Sequence, residues 1–378
     1  MSKLRELIDK YCPNGVEYKP LGDKDVSIMQ RGTSLTKKDS TEGIYPVISG
    51  GKTPAFYCDL SNRNGETITV AGSGAGAGYV QYWNEPIFVC DAFSIKGVGD
   101  VSTKYLYYCL VNMQENIYAT KKGGGVPHVH ISSIDKFLIP IPPPPVQEEI
   151  VKILDRFAEY AAELQAELQA RQEQYEYYRN KLLTFNKIGG GTQSVIWVKM
   201  SEICQNMDRY RKAITASNRT SGSYPYYGAS GIVDYVDGYI FDGDYLLVSE
   251  DGANLLARNM PIAFSISGKN WVNNHAHVLK FEDDFTRKYV EYYINMIDVS
   301  KYVSGGAQPK LNQENLNKIM IPIPPDEDLV RIVSFLDKFD ALVSDLVQGL
   351  PAEIAAVQEQ YEYYRDKLLS FPEYKLSA

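Results

Sequence analysis

Apolar residues recur at alternating steps of three and four along two long stretches of the chain, as they do on the buried seam of a coiled coil. In the first stretch, residues 146–185, the seam consists of Leu154, Phe157, Leu164, Leu168, Tyr175, Tyr178 and Leu182. In the second, residues 326–371, it consists of Leu336, Phe339, Val343, Leu346, Tyr361, Tyr364 and Leu368. Because a long helix with one apolar stripe must bury that stripe, we expect these two helices to pair antiparallel as an intramolecular coiled coil.

The seam of the second helix is interrupted. Leu346, Leu350 and Ile354 follow one another in steps of four, which inserts four residues into the heptad pattern. Gly349 and Pro351 lie inside this insertion. Proline removes a helical hydrogen bond and clashes with the preceding turn, so we expect a kink or a break here.

The blocks that precede the two helices have strand character. Short apolar or alternating runs bounded by glycine and asparagine occur at residues 66–70, 86–90, 245–248 and 276–280. Residues 103–111 and 286–294 have the pattern of helices. Each block is therefore predicted to be a small α+β domain.

The chain repeats one plan twice. Ile139-Pro-Ile-Pro-Pro143 recurs as Ile321-Pro-Ile-Pro-Pro325, and Leu154-Asp-Arg-Phe157 recurs as Leu336-Asp-Lys-Phe339. The octapeptide at residues 172–179 is repeated without change at 358–365. Weaker echoes precede these segments, among them Lys104-Tyr105 and Lys288-Tyr289. Such similarity in register predicts the order block, helix, block, helix.

This order predicts an α+β fold in which two similar domains in tandem are separated by two long antiparallel coiled-coil helices. The predicted segments are a short N-terminal helix and lead-in (1–19), a first domain (20–145), a first helix (146–185), a glycine-rich linker (186–194), a second domain (195–325), a second helix (326–371) and a tail (372–378).

The net charge of −8 disfavours nucleic-acid binding at first sight, but its distribution changes this interpretation. Residues 146–185 carry a net charge of −3 and residues 326–378 carry −6. The blocks are close to neutral, with +1 over residues 1–145 and 0 over residues 186–325. Neutral domains with local basic clusters can still bind phosphates.

The cysteines and the hydropathy pattern indicate a cytoplasmic location. The chain has five cysteines, an odd number, and none forms a C-x-x-C pair. This usage fits reduced thiols better than disulfides or a zinc module. No run of 18 apolar residues occurs, and the charged start lacks a secretory core. We therefore expect no membrane contact.

Motifs for catalysis are missing from the sequence. There is no G-x-x-x-x-G-K-[ST] phosphate loop. The glycines of residues 72–78 have spacing that resembles a dinucleotide site, but no helical pattern follows them, so a flexible surface loop is the better interpretation. The aromatic-flanked Pro-Pro motif of DNA adenine methyltransferases is also missing. We therefore expect a protein that is not an enzyme and holds no cofactor.

All four histidines fall into two H-x-H pairs, His128 with His130 and His275 with His277. On a strand, each pair would face one side, as metal ligands could. No cysteine or carboxylate at ligand spacing completes either set, so structural or base-contacting roles are favoured over a metal site.

Basic and polar clusters occupy loops in both blocks. They comprise Arg31, Lys37, Lys38, Lys121 and Lys122 in the first block, and Arg209, Arg211, Lys212, Arg219, Gln308, Lys310 and Asn312 in the second. Lysine and arginine neutralise phosphates, and arginine, glutamine and asparagine read base edges. Each cluster by itself is also compatible with ordinary solvated surface. Their recurrence at matching places in both repeats favours DNA binding. His128 is a further predicted DNA-binding residue.

The repeated plan resembles the specificity subunit of type I restriction-modification systems. The resemblance covers essentially the whole chain and is most specific in the two helical segments and in the Gly-Gly-Ala-Gln-Pro-Lys-Leu loop before Ile321. Tyr224-Pro-Tyr-Tyr-Gly228 and Glu250-Asp-Gly-Ala-Asn254 are similar to target recognition domains of that family. The first copy departs from the loop pattern, with Val126-Pro-His-Val129 in place of Gln-Pro-Lys-Leu.

The resemblance implies a DNA-binding protein in which each target recognition domain reads one half of a split site on duplex DNA. It also implies that the helices set the distance between the two half-sites and bind two methyltransferase subunits. Motor-nuclease subunits would then join this complex. S-adenosylmethionine, ATP and Mg would then belong to those partners only. Two other hypotheses remain: a coiled-coil assembly adaptor without DNA contact, which salt-dependent duplex binding would exclude, and a self-sufficient enzyme, which S-adenosylmethionine turnover by the chain alone would support.

Overall fold

The computed structural model of the chain describes residues 3–123, 125–185, 195–306, 308–345 and 349–374. The chain divides into two compact units. Unit 1 comprises Met1–Gln165 and Glu353–Ala378, and unit 2 comprises Ala166–Ala352. The predicted linker at 186–194 and the predicted seam residue Leu346 lie outside the described residues.

Among its described residues, unit 1 has nine strands, a helix before them, three short helices between the last two strands, and a long helix after them. The strands are β1 (Glu17–Pro20), β2 (Ser27–Arg31), β3 (Tyr45–Ile48), β4 (Phe56–Cys58), β5 (Thr67–Ala71), β6 (Val80–Trp83), β7 (Phe88–Val89), β8 (Ala92–Gly97) and β9 (Leu138–Ile141). The helices are α1 (Lys3–Tyr11), α2 (Thr103–Asn112), α3 (Gln114–Ala119), α4 (Ile131–Ile134) and the first part of α5 (Pro144–Leu183).

Unit 2 repeats this series after the end of α5. Its strands are β10 (Ile196–Lys199), β11 (Gln205–Asn206), β12 (Ser221–Gly228), β13 (Gly231–Val236), β14 (Phe241–Asp242), β15 (Tyr245–Ser249), β16 (Ala263–Ile266), β17 (Lys269–Val272), β18 (Ala276–Lys280) and β19 (Met320–Ile323). Its helices are α6 (Met200–Ile203), α7 (Asn254–Ala257), α8 (Asp284–Met296), α9 (Gln313–Asn317) and α10 (Asp326–Ser344). Helix α11 (Leu350–Leu369) follows and lies mostly in unit 1.

The sheets of the two units have matching strand orders, with one additional strand in the smaller sheet of unit 2. The larger sheet has four antiparallel strands in the order β2-β8-β5-β6 in unit 1 and β11-β18-β15-β16 in unit 2. A smaller sheet has the order β4-β3-β7 in unit 1 and β13-β12-β17-β14 in unit 2. In each, one pair is parallel, β3 with β7 and β12 with β17. The prediction of two α+β domains in tandem is thus confirmed, with the predicted strands at 66–70, 245–248 and 276–280 each within one residue of β5, β15 and β18.

Each domain has its own core. In unit 1, α2 packs on the larger sheet through Tyr105 and Leu106, both fully buried with Ile68 and Ile95 of the sheet. In unit 2, Tyr289 and Val290 of α8 occupy the corresponding places. Helices α2 and α8 begin at side-chain caps, where Ser102 and Asp283 accept a hydrogen bond from a backbone N–H three residues later.

The Ile-Pro-Ile-Pro-Pro segments form strands, which the sequence analysis did not predict. Strand β9 pairs antiparallel with β1, placing Tyr18 opposite Pro140, and β19 pairs with β10, placing Trp197 opposite Pro322. A two-stranded ribbon tolerates proline because a strand with one partner leaves half of its N–H groups outside the ladder. Helix α5 then begins at Pro144, two residues earlier than expected, because proline is tolerated in the first turn of a helix.

The helical segments pair antiparallel, as predicted. In unit 1, Phe157 of α5 contacts Tyr361 and Tyr364 of α11, with ring centroids 6.4 and 5.6 Å apart, and the Tyr160 hydroxyl donates to Glu353 over 2.7 Å. In unit 2, Tyr175 of α5 stacks on Phe339 of α10 at 6.1 Å, and Tyr178 contacts Phe335 and Phe339. Residue numbers rise on one helix as they fall on its partner.

One detail of the predicted seam is confirmed by the structure and another differs from it. The second helical segment ends at Ser344 and resumes at Leu350, which confirms the predicted break. The buried leucines near the helix ends are Leu183 and Leu369, whereas the seam prediction placed Leu182 and Leu368 there. At these ends each helix packs on the core of a domain as well as on its partner helix. The contact with the domain core buries Leu183 and Leu369, each one residue after the predicted seam position.

Candidate nucleic-acid interface

A short hairpin stands at the same place in each unit. In unit 1, Lys122 and His128 exchange two backbone hydrogen bonds of 2.9 and 2.8 Å, and Gly123 has a φ of +109°. In unit 2, Ser304 and Lys310 exchange bonds of 2.8 and 2.7 Å, and Gly305 has a φ of +85°. Glycine is the residue that adopts positive φ without strain. We call these turns the first and the second recognition hairpin.

Each recognition hairpin is fixed to the loop that follows an inner strand of the larger sheet in its unit, β5 or β15. In unit 1, Gly74 donates its N–H to the carbonyl of Pro127 over 3.0 Å, and Val129 donates to Gly72. In unit 2, Gly252 donates to Pro309 over 3.1 Å, and Leu311 donates to Glu250 over 2.7 Å. His128 thus occupies the place of Lys310, and Gly72 that of Glu250.

The loop of residues 72–78 is therefore held in place, contrary to the expectation of a flexible surface loop. Ala77 donates to Gly74 and is fully buried, and Gly78 donates to Ala71 over 2.7 Å. A side chain at Gly76 would approach the carbonyl oxygen of Gly50 to 2.4 Å, so the close backbone contact requires glycine there.

Behind the second recognition hairpin lies a buried network of charges. Arg211 contacts Glu250 over 2.6 Å and Asp208 over 3.3 Å, and Lys310 contacts the other oxygen of Glu250 over 3.0 Å. His277 is fully buried between Asp208, at 2.6 Å, and the carbonyl of Leu311, at 2.7 Å. Pairing of this kind is what makes buried charge tolerable.

The carboxylates of this network titrate below their ordinary range. Burial alone would raise the pKa of Asp208, but hydrogen bonds from His277 and the Val278 N–H, with the charge of Arg211, lower it. Burial would likewise raise the pKa of Glu250, but the hydrogen bonds from Arg211 and Lys310 outweigh burial and lower it.

Three side chains of this network, Asp208, Glu250 and His277, have potential metal-ligand atoms within 4.8 Å of one another. Because Arg211 and Lys310 already neutralise these carboxylates, the arrangement favours a structural role over a metal site.

The corresponding region of unit 1 is a cleft with different chemistry. It is lined by Arg31, Asp91, His128 and His130, and the two imidazole rings are parallel with centroids 6.1 Å apart. Phe93 takes the place of His277 in the register of the sheet. Asp91 accepts a hydrogen bond from Ser73, whereas in unit 2 His275 contacts Asp251 over 2.9 Å at the same two positions.

The structure sorts the sequence-predicted DNA contacts into two groups. The exposed ones are Arg31, Lys37, Lys38, Lys122, His128, Arg209, Lys212, Gln308 and Lys310. Arg211 is committed to Asp208 and Glu250, Arg219 contacts Asp234 over 3.2 Å and the ring of Tyr226, and Asn312 caps α9 by accepting the Asn315 N–H. Lys121 is half-buried over the ring of Tyr118. The geometry favours structural roles for this second group.

Asp91, Glu250 and Asp251 stand beside the recognition hairpins but were not predicted from the sequence as site residues, although Glu250-Asp-Gly-Ala-Asn254 contributed to the family resemblance. The signal available was Glu250-Asp-Gly, a pair of acids before a glycine in a loop that matches Gly72-Ser-Gly of the first copy. Glu250 and Asp251 contact basic residues distant in sequence, and Asp91 accepts a hydrogen bond from Ser73; these partners depend on the register of the sheet.

Comparison with protein families identifies the repeat. Residues 13–174 and 195–356 each match the family model described as the type I restriction modification DNA specificity domain. A relative described as a type I restriction enzyme specificity subunit of Haemophilus influenzae is 36% identical over 199 residues, which are 52% of this chain and 51% of that protein. The chain therefore spans about half the length of this relative. The Escherichia coli EcoR124I/EcoR124II specificity subunit is 29% identical over 98% of both chains.

Solved structures share the fold. The type I restriction-modification S subunit of Mycoplasma genitalium superposes with a TM-score of 0.64 at 18% identity, covering 94% of this chain and 96% of that one. A chain from a study of complex assembly and conformational transition of the type I system gives a TM-score of 0.61 at 15% identity, covering 94% and 98%. Across the part of the chain that the structure describes, no helix is long and apolar enough to cross a membrane.

Proposed function

The chain belongs to the family of type I restriction-modification DNA specificity domains, and we propose that each of its two copies reads one half of a bipartite site on duplex DNA. Its role is that of the specificity subunit, which selects DNA and is not itself an enzyme. Methylation and cleavage are carried out by partner subunits, which hold S-adenosylmethionine, ATP and Mg. The cytoplasm, where those partners meet DNA, is the proposed location.

The observation that supports this proposal is the pair of recognition hairpins. Each is hydrogen-bonded to the loop after the equivalent inner strand of its own four-stranded sheet, β5 or β15, and exposed polar side chains flank both turns: Lys122 and His128 in one, Gln308 and Lys310 in the other. The major groove admits a two-stranded ribbon of this kind. The backbone contacts are duplicated while the side chains differ, as two readers of different half-sites require.

Exchange of one domain tests the proposal. Replacing residues 195–325 by the corresponding block of a relative should change one half of the methylated site and leave the other half unchanged, because each domain has its own core. Genome-wide mapping of methylated adenines in cells that express the chimera measures this. A change in both halves would contradict independent reading.

The adaptor hypothesis makes a different prediction for the purified protein. A DNA reader binds duplex with an affinity that falls steeply as salt increases, because phosphate contacts release counterions. An adaptor without DNA contact shows no such binding, either alone or with its methyltransferase partner. The exposed basic residues around both hairpins favour the first outcome.

Docking of two methyltransferase subunits is proposed for the repeated octapeptides. Tyr177 and Tyr178 make an edge-to-face pair with centroids 5.2 Å apart, and Tyr363 and Tyr364 make the same pair at 5.3 Å. Tyr177 is 58% exposed and Tyr363 is 54% exposed, each beneath a lysine. A surface aromatic that is preserved in both copies suits two copies of one partner, since tyrosine is enriched at interface centres.

The stoichiometry of the complex tests this docking site. Tyr363→Ala should reduce the number of bound methyltransferase subunits from two to one, and the double variant with Tyr177→Ala should bind none at the concentration that saturates the wild type. Tyr57→Ala, an equally exposed tyrosine of the smaller sheet, is the control. Full occupancy in the double variant, measured by native mass spectrometry, would remove these tyrosines from the interface. Motor-nuclease subunits are proposed to join the complex after the methyltransferases.

A further inference from the structure

A carboxylate on helix α5 holds the recognition domain of unit 1. Asp155 accepts a hydrogen bond from the Tyr108 hydroxyl over 2.5 Å and contacts the Lys104 ammonium over 2.8 Å. Tyr108 and Lys104 lie on α2, which packs on the larger sheet. Burial and the bond to Asp155 raise the pKa of Tyr108, so the phenol remains a hydrogen-bond donor across the physiological range.

Unit 2 repeats the arrangement atom for atom. Asp337 on α10 accepts a hydrogen bond from the Tyr292 hydroxyl over 2.7 Å and contacts the Lys288 ammonium over 2.6 Å. Tyr292 and Lys288 lie on α8, the equivalent of α2. As in unit 1, burial and the bond to the aspartate raise the pKa of the tyrosine.

A second contact in each unit lies close to the base of the long helix. The Tyr105 hydroxyl donates to the carbonyl of Pro140 over 3.0 Å, and the Tyr289 hydroxyl donates to the carbonyl of Pro322 over 2.6 Å. Both tyrosines are fully buried. This contact fixes the ribbon strand from which the helix emerges.

Two anchor points define an angle. Helix α5 begins at Pro144, so Asp155 lies about 16 Å along it at 1.5 Å per residue. The buried tyrosine fixes the position of the helix base on the domain, and the aspartate fixes the direction in which the helix leaves. The aspartate contact is charge-assisted and forked, with one oxygen to the tyrosine and one to the lysine, which makes it directional.

The aspartates contribute little to the domain core itself. The side chains of Lys104 and Asp155 are 29% and 27% exposed, and those of Lys288 and Asp337 are 40% and 33% exposed. A partly exposed pair adds modestly to stability because water screens it. A duplicated contact that is directional but weakly stabilising is suited to orientation.

We propose that Asp155 and Asp337 are positioning residues, each of which fixes the angle at which a recognition domain is held on its long helix and thereby restricts the DNA spacer length that the protein accepts. This inference rests on the proposed reading of a bipartite site. It separates the residues that choose bases from the residues that choose the distance between them.

Binding to spacer variants tests the inference. The site is first mapped by adenine methylation with the wild-type protein, and duplexes are then made with that site and with its spacer one base pair shorter or longer. With the full chain in its methyltransferase complex, Asp155→Asn and Asp337→Asn should each reduce the discrimination against the altered spacers by about tenfold. The half-site base preference should be unchanged, which distinguishes a loss of orientation from a loss of fold.

Matched variants complete the experiment. Asp328→Asn removes an exposed ion pair with Arg331 on the same helix α10 and should keep wild-type discrimination. Tyr108→Phe and Tyr292→Phe, which remove one hydrogen bond and keep the ring, should relax spacer discrimination in the same direction by a smaller factor. Wild-type spacer discrimination in both aspartate variants and both tyrosine variants would overturn the inference. An equal loss of base preference and spacer discrimination would also overturn it. Failure of the wild-type complex to bind any duplex would instead overturn the proposed function.

Discussion

Two cationic side chains contact the same carboxylate, Glu250, but differ in their exposure to solvent. The Arg211 side chain is 13% exposed, and the Lys310 side chain is 51% exposed on the rim of the second recognition hairpin. A buried cation that neutralises two carboxylates maintains the fold, whereas an exposed one remains available to a phosphate. The same residue class therefore takes two roles a few ångströms apart.

Lys310 at the base of this hairpin and Gln308 within its turn should affect DNA binding differently. Lys310→Ala should lower affinity by a similar factor on all sequences and reduce the salt dependence by about one charge equivalent, because a phosphate contact carries no sequence information. Gln308→Ala should relax discrimination at one base pair by about 1–3 kcal/mol. Duplex titrations over a range of salt concentrations measure both effects. Unaltered binding and preference in both variants would place the hairpin outside the interface.

Arg211→Met should destabilise unit 2 without a change in base preference. Leaving Asp208 and Glu250 buried without their shared partner should cost about 3 kcal/mol of unfolding free energy at neutral pH. Both carboxylates have a lowered pKa, so their stabilisation is fully present above the ordinary carboxyl pKa and is lost as pH falls from there through the lowered pKa of the folded state. The difference in unfolding free energy between wild type and variant should therefore shrink below about pH 4. A difference that is constant from pH 7 to pH 3 would show that these charges do not carry the effect.

At the scale of elements, periodicity predicted the two long helical segments and their antiparallel pairing, and Gly349 with Pro351 inside the inserted residues predicted the break. Periodicity did not predict the ribbons, because the prolines of Ile139-Pro-Ile-Pro-Pro143 argue against a strand unless its single partner is known. Nor could it place side chains: Arg211 and Arg209 are equivalent by sequence, and only the register of β18 with β11 and β15 shows which guanidinium is buried. Asparagine is a favoured N-cap residue, so the sequence was compatible with Asn312 as the cap of a short helix. Asn312 was predicted as a DNA contact instead because it follows the polar loop at residues 305–311.

The break between α10 and α11 gives an element-scale prediction. A side chain at Gly349 would lie within 2.6–2.9 Å of the carbonyl oxygens of Ala341, Leu342 and Asp345, which belong to the last turn of α10 and the residue after it. Gly349→Ala should therefore lower the free energy of unfolding by about 1–3 kcal/mol through overpacking. Gly306→Ala, which meets open space, is the control and should be nearly neutral. Equal stability of the two variants in urea titrations would mean that the break has another cause.

At the scale of the molecule, helix α5 carries a further repeat with a measurable consequence. Ala162-Glu-Leu-Gln165 is followed directly by Ala166-Glu-Leu-Gln169, with Leu164 buried and Leu168 half-buried. The plain interpretation is a good helix-forming sequence with leucine on the seam, and it holds in any case. The more specific interpretation is that the number of tetrapeptide copies sets the length of the spacer between the two half-sites of the DNA.

Insertion of a third Ala-Glu-Leu-Gln should give an active protein with unchanged half-sites and a spacer one or two base pairs longer. Four residues add about 6 Å of helix, against roughly 34 Å per ten base pairs, and a step of four nearly preserves the helical face. Mapping methylated adenines in cells that carry the insertion measures the spacer. An active variant with the original spacer would show that the helices join the domains without setting the distance.

The identical octapeptides at 172–179 and 358–365 also have a consequence for heredity. Each lies on a helix whose contacts involve the same tyrosines, Tyr175 and Tyr178 in one copy and Tyr361 and Tyr364 in the other. A genetic crossover that falls within these codons, between this gene and a related one, keeps the reading frame and rebuilds an intact helix seam. Everything on the far side of the crossover arrives as a complete module. On the proposed function, one recombination event would therefore supply a new target sequence and leave the proposed methyltransferase docking surfaces unchanged.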